Sequence, residues 1–240
     1  MVHDRDSQQT TSSGASPSFF DELGGNAILL GMLVFLLVVV PFLPVDDTEG
    51  VITQVAWSAL IIAGILRTRG RRHFLWAALI IAFPSILSRW IDVAWLANTG
   101  PLVIALFFAL IVAHIMADIF SQRRVQLDHI LGGINVYVLL GVMFARLHVA
   151  NEIYNPDSYM LGGLPLAVAA EQAGQHVEDL LQYFSFTTLT TLGYGDVHPV
   201  SDTARVLSNA EAVIGQLFVA ILIARLVSVY TSRRTLDLDG

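Results

Sequence analysis

The sequence predicts an all-α membrane protein: six transmembrane helices, with one short re-entrant helix before the last. Three observations carry this expectation. Of the 240 residues, 55% are hydrophobic and only 14% are charged, whereas soluble domains carry about a quarter charged residues. Six apolar runs approach the roughly 20 residues that a helix needs to cross a hydrocarbon core. The arginines gather in loops that an even number of crossings places on one side of the membrane, with the N-terminus.

The elements follow in order. Residues 1–25 are rich in Ser, Thr and Gln. They lack a basic stretch running into an apolar one, so they do not read as a secretory signal. They are also too poor in apolar side chains to offset the entropy of ordering, and read as a disordered cytoplasmic segment. The first span covers about 26–45 and ends at Pro41 and Pro44. The second covers about 51–66, and the third about 74–94 with Pro84 as a kink. The fourth starts near Pro101, placed as a first-turn proline, and ends near Phe120. The fifth covers about 130–150 and the sixth about 203–230. Arg67, Arg69, Arg71 and Arg72 lie between spans two and three, Arg123 and Arg124 between four and five, and Arg233 and Arg234 after six. Acidic Asp46, Asp47, Glu49, Asp92, Glu152 and Asp157 fall on the other side, with Arg89 as an exception. The basic side is cytoplasmic by the positive-inside rule, which puts both termini there and suits a plasma (inner) membrane.

Between spans five and six, residues 151–177 read as a polar, mixed loop. The run EDLLQYFSFTTLT then reads as a helix too short to cross the membrane, with Glu178 and Asp179 in its first turn, where negative charge suits the helix dipole. The stretch TTLGYGD, Thr190 to Asp196, follows it. Non-helical backbone at membrane depth persists only when buried in protein or lining a water-filled cavity. A cation leaving water must regain oxygen ligands, and backbone carbonyls supply them if successive carbonyls point one way. That requires φ values that glycine adopts at little cost, and Gly193 and Gly195 sit at alternate positions. Thr191 adds a hydroxyl. One chain carries one copy of this stretch, so rings of carbonyls around an axis call for four chains, a homotetramer around a central pore.

Thr191-Leu192-Gly193-Tyr194-Gly195-Asp196 resembles the selectivity-filter signature of tetrameric potassium channels. The resemblance extends from about residue 131 to 230 and is most specific from Tyr183 to Pro199. It implies K+ as the permeant ion, held by the carbonyls of Thr191, Leu192, Gly193 and Tyr194, and no further cofactor. It implies a pore domain over 126–231, after a four-helix region over 26–125 and before a short cytoplasmic tail, 232–240. Tyr183 and Phe184 match aromatic positions of the pore helix that brace the filter, with Tyr194 turned outward against them. Asp196 stands at the outer mouth, within reach of the Tyr183 hydroxyl. Leu replaces the more usual Val at 192. Thr187 stands where some relatives carry an acid that pairs with this aspartate, so that pairing does not carry over. Gly215 falls at a hinge position of the inner helix, or serves close helix packing. Val219, Ile223 and Val227 follow at helical spacing and line the cavity or face lipid. Glu211, a carboxyl group inside an apolar span, needs a partner; Ser185, Thr187 and Thr188 are the expected donors, which makes it a filter support.

The first four spans resemble a voltage-sensor domain in number but not in chemistry. Such a sensor repeats Arg along one helix, and the fourth span has none. His114 and Asp118 lie four apart there, on one face, and read as an interfacial packing pair. Arg146 and His148 lie near the outer end of span five, and Arg225 low in span six reaches toward the cytoplasmic interface. The expected partners are three further copies of the chain and membrane lipids. No catalytic triad, metal-ligand spacing, phosphate loop or nucleic-acid patch is apparent, so neither an enzyme nor a nucleic-acid partner is expected. About ten residues follow span six, too few for a cytoplasmic ligand-binding domain. Two other readings of the residues are a silent subunit that joins hetero-assemblies and a membrane sensor whose pore-like half is structural.

Overall fold

Residues 25–39, 94–121 and 127–236 are described by the computed structural model. The expected second span, nearly all of the third, and the Arg67–Arg72 and Arg123–Arg124 clusters lie outside the described residues. Helix α1, Gly25–Val34, runs into a π-helical turn, Phe35–Val39. Helices α2, Ala94–Ser121, and α3, Leu127–Tyr154, follow. Strands β1, Tyr159–Leu161, and β2, Leu164–Pro165, lead into helix α4, Leu166–Ala173. The short helix α5, Val177–Leu189, strand β3, Val197–Pro199, and the long helix α6, Asp202–Leu236, complete the order.

Among the described residues, three helices are long and apolar enough to cross a membrane, over Asn98–Ser121, Asp128–Tyr154 and Asp202–Ser228. The shortest of these stretches has 24 residues, roughly 36 Å of helix against a hydrocarbon core of about 30 Å. They correspond to the fourth, fifth and sixth expected spans. The apolar helix Gly25–Val39 corresponds to the first and is shorter.

Two expectations need correcting. Pro101 does not open its helix: α2 is already helical from Ala94, and the proline lies inside it. Apolar helices in a bundle tolerate an interior proline because neighbouring groups re-satisfy the freed carbonyl. Nor is 151–177 a plain loop. The residues Leu161-Gly162-Gly163-Leu164 form a two-residue hairpin, with Leu161 opposite Leu164 and φ of 60° and 82° at the two glycines; a tight hairpin turn of this hand needs positive φ at both positions. Helix α4 ends at Gly174, at φ 65°, whose N–H returns to the carbonyl of Glu171.

The main core joins α1, α2 and α3. Leu29, Leu33 and Leu36, then Phe108, Ile111, Ile115 and Ile119, then Val136, Leu139 and Val142 repeat every three or four residues, one stripe per helix. Lipid is as apolar as these side chains, so close interlocking holds the helices rather than escape from water. Small residues permit that approach. A Cβ on Gly141 would lie 2.8 Å from the ring of Phe186, and one on Gly133 2.8 Å from Leu222. Polar links tie the ends. Asn26 Nδ2 donates to the Asp128 carboxylate at 2.9 Å, and Asn135 Nδ2 donates to the Asn26 carbonyl at 2.7 Å. Arg225 does more than reach an interface: its Nη2 donates to the Ile119 and Phe120 carbonyls at 3.1 and 3.2 Å, and its guanidinium lies 5.0 Å over the Phe120 ring. It caps the C-terminal turn of α2, where a cation suits both the unpaired carbonyls and the helix dipole.

A second core gathers Val149 of α3, Tyr159 of β1, Leu166 of α4, Leu181 and Phe184 of α5, Val197 of β3 and Ala204 of α6. The sheet has the order β2-β1-β3 and is antiparallel, with Met160 opposite His198.

Candidate functional site

The site is built outward from α5. Its first turn carries Glu178 and Asp179, as expected from sequence. Its buried face presents Leu181, Phe184, Ser185 and Leu189 to α3 and α6. Hydroxyls near its end fold back on the helix. Thr187 Oγ1 donates to the Phe184 carbonyl at 2.9 Å, and Thr190 Oγ1 to the Phe186 carbonyl at 2.7 Å.

The helix stops where the backbone changes hand. Thr191 has φ 58°, Gly193 58° and Gly195 77°. A backbone that alternates hand sets successive N–H groups on one side and the carbonyls on the other. Gly193 and Gly195 occupy the left-handed region as expected. Thr191 was not expected there, and for a β-branched residue that conformation costs about 1–2 kcal/mol. The turn is held by the Thr187 carbonyl, which accepts from the N–H groups of Leu192 at 2.9 Å and Gly193 at 3.1 Å. The Thr191 N–H donates to the Thr188 carbonyl at 3.0 Å. Thr187 therefore touches the loop through its carbonyl, not its side chain.

Beyond Gly195 the chain enters β3 and pairs with β1. Tyr183 Oη donates to Asp196 Oδ2 at 2.8 Å, and the rings of Tyr183 and Tyr194 stack at 6.4 Å with 9° between planes. Phe184 turns the other way: its ring meets His148 at 5.0 Å and Tyr159 at 5.5 Å, so it packs behind α5 and does not share the face of Tyr183. In the single chain Leu192 and Tyr194 are 56% and 68% exposed.

Partial desolvation opposes ionisation of Asp196, but the Val197 and Asp196 N–H groups and the Tyr183 hydroxyl outweigh it and hold the carboxyl below its usual range. A lowered carboxyl contributes stability in full above the ordinary carboxylate range and loses it as the pH falls through the lowered value. Tyr183→Phe keeps the ring stack and removes the donor. In thermal melts of the detergent-solubilised protein, its deficit relative to wild type is expected to be greatest above the ordinary carboxylate range and to shrink in acid; a deficit independent of pH would contradict this assignment.

One glycine and one carboxyl position on α6, Gly215 and Glu211, meet the back of α5. A Cβ on Gly215 would lie 2.7 Å from the Leu189 carbonyl oxygen and 2.8 Å from its Cδ1. Of the two readings of Gly215, close packing is what this contact displays. The same Leu189 carbonyl accepts from Tyr137 Oη at 3.3 Å. Glu211 is fully buried, and Ser185 Oγ lies 2.5 Å from its Oε1. Thr187 Oγ1 donates instead to the Phe184 carbonyl, and the second partner of Glu211 is His148, with Nε2 2.8 Å from Glu211 Oε2. His148 is a partner that the sequence reading missed, having been placed only near the end of its span. The available signal was that two ionisable groups inside apolar spans need partners. Further along α6, Val219 packs against the main core, while Ile223 and Val227 are exposed.

No curated protein and no solved structure matches this chain. Residues 174–232 match the family model described as an ion channel. That stretch contains α5, the Thr190–Asp196 loop, β3 and most of α6, so the similarity to ion channels lies in the C-terminal part of this helical chain, where α6 is long and apolar enough to cross a membrane.

Proposed function

We propose that four copies of this chain form a pore that conducts K+ passively, with the carbonyls of Thr191, Leu192, Gly193 and Tyr194 as the selectivity filter. The observation that carries this reading is the left-handed backbone at alternate residues, Thr191, Gly193 and Gly195, directly after a short helix with one buried face. In a ring of four such strands, carbonyl oxygens replace the water lost by the ion, and binding at successive sites stays weak enough for ions to move on. Leu192 and Tyr194 point their bulk away from that path, toward the neighbouring chains, and Asp196 lies at its mouth. The exposed apolar residues of α6, among them Val213, Leu217 and Ile221, supply faces for the other copies and for lipid. The Ile223 and Val227 side chains line the inner cavity in this arrangement, and Gly215 lets α6 lie against the end of α5.

Ion flux tests the reading. Purified full-length protein in liposomes is expected to dissipate a K+ gradient and to leave a Na+ gradient nearly intact. Equal flux of both ions, or none of either from a folded preparation, would reject it. Crosslinking in the same vesicles is expected to end at four chains.

A further inference from the structure

The polar groups behind α5 form a line that crosses four elements. Tyr159 Oη of β1 lies 2.6 Å from His148 Nδ1 of α3, and His148 Nε2 lies 2.8 Å from Glu211 Oε2 of α6. Glu211 Oε1 lies 2.5 Å from Ser185 Oγ of α5, which in turn lies 2.7 Å from the Gly141 carbonyl of α3. All four side chains are completely buried.

We propose that Glu211 is a neutral, proton-donating positioning residue that closes a one-way hydrogen-bond chain running Tyr159, His148, Glu211, Ser185, Gly141 and so fixes α5 between α3 and α6. Its bearing on conduction rests on the filter reading above.

The argument is an inventory of protons. Ser185 has one hydroxyl proton, and two oxygens lie within hydrogen-bond distance. The Gly141 carbonyl can only accept. Both contacts are hydrogen bonds if Ser185 donates to Gly141 and Glu211 Oε1 donates to Ser185. Its other oxygen, Oε2, then accepts from His148 Nε2–H. The neutral imidazole has one N–H, so Nδ1 accepts from the Tyr159 hydroxyl. Every donor and acceptor is used once and no charge is buried.

The ion pair fails the same inventory. A charged His148 would donate from Nδ1 to Tyr159, and the Tyr159 proton would need another acceptor. Among the described residues, the other hydrogen-bond contact of the Tyr159 hydroxyl is Asn151 Nδ2, a donor, at 3.5 Å; Asn151 Oδ1 is turned to Asn155 Nδ2 at 3.3 Å. Ser185 would give its proton to the carboxylate and lose Gly141. Two full charges would also leave water at a cost that their attraction need not recover.

The consequence is geometric. Ser185 is two residues before Thr187, whose carbonyl holds the N–H groups of Leu192 and Gly193. A shift of Ser185 is transmitted through one helical turn to the loop.

Glu211→Gln and Glu211→Leu separate the possibilities. A glutamine donates to Ser185 through its amide N–H and accepts from His148 through its oxygen, as the neutral acid does. In full-length protein in liposomes, the infrared carbonyl stretch of a protonated carboxyl group is expected in wild type and lost in E211Q. E211Q is expected to keep steady K+ flux within about twofold of wild type, and E211L to lose about tenfold or more of it. Absence of that infrared difference, or an E211Q protein as impaired as E211L, would overturn the proposal. The infrared band is read without any flux, so non-selective conduction by wild type would reject the filter reading while leaving this inference to stand or fall on its own result.

Discussion

Replacing Gly195 by Ala is expected to abolish K+-selective flux. The cause is the backbone and not crowding within the chain. An added Cβ would find nothing nearer than the Gly193 carbonyl oxygen at 4.0 Å. The backbone there stands at φ 77°, which an L-residue with a Cβ adopts at a cost of about 1–2 kcal/mol. In the proposed ring of four chains, the cost is about 4–8 kcal/mol per assembly. That is comparable to the whole stability of many domains. The loop is expected to relax to ordinary φ and rotate its carbonyl out of line, while the helices remain folded. Flux measurements with K+ and Na+, together with circular dichroism of the same preparation, check this. A G195A protein that conducts K+ as selectively as wild type would mean that these carbonyls are not the filter.

Gly215→Val is expected to be more disruptive to assembly than to the local helix. Valine is acceptable in an apolar helix, and φ at 215 is not in the positive range. The obstacle is the Leu189 carbonyl oxygen, 2.7 Å from the Cβ position, with Leu189 Cδ1 at 2.8 Å. A backbone oxygen at the end of a buried helix cannot swing aside as a side-chain tip can. Either α5 or α6 must shift, and overpacking of this kind costs about 1–3 kcal/mol per chain. On the proposed four-chain assembly, the crosslinked tetramer is expected to lose thermal stability, with K+ flux falling in parallel. Unchanged tetramer stability would show that α6 has room to move away from α5, and would favour a hinge role for Gly215 over a packing one.

The legible parts of this molecule were those in which chemistry is local. Gly193 and Gly195 announced an unusual backbone because few other residues tolerate it. Glu178 and Asp179 marked the start of α5, and the apolar runs marked three of the long helices. The Tyr183–Asp196 bond was within reach because both residues belong to one short motif. Thr191 was illegible as a left-handed residue: a β-branched side chain argues against that φ, and the hydrogen bonds that enforce it come from Thr187 and Thr188. His148 was missed for a different reason. Its partner Glu211 lies 63 residues away, and helical periodicity says which face a residue occupies but not which helix meets that face. The hairpin at Gly162–Gly163 and the end of α4 at Gly174 did carry signals. They were overlooked inside a segment whose mixed polarity reads as loop. Arg225 could be assigned a depth but not a partner, since the α2 carbonyls that it caps are backbone atoms that no side-chain pattern reveals.

The Thr190–Asp196 loop is fastened at both ends, to the Thr187 carbonyl on one side and through β3 to β1 on the other. A free segment of this length would lose about 1–2 kcal/mol of conformational entropy per residue on becoming ordered. Here that loss is already met when the chain folds, by contacts outside the loop. On the conduction reading, an arriving ion meets oxygens already in place, and its binding need not supply the free energy of arranging them. Preorganisation of this kind lets a weakly held ion be a selectively held one: discrimination comes from the fixed spacing of the ligands, while the modest affinity leaves the ion free to depart.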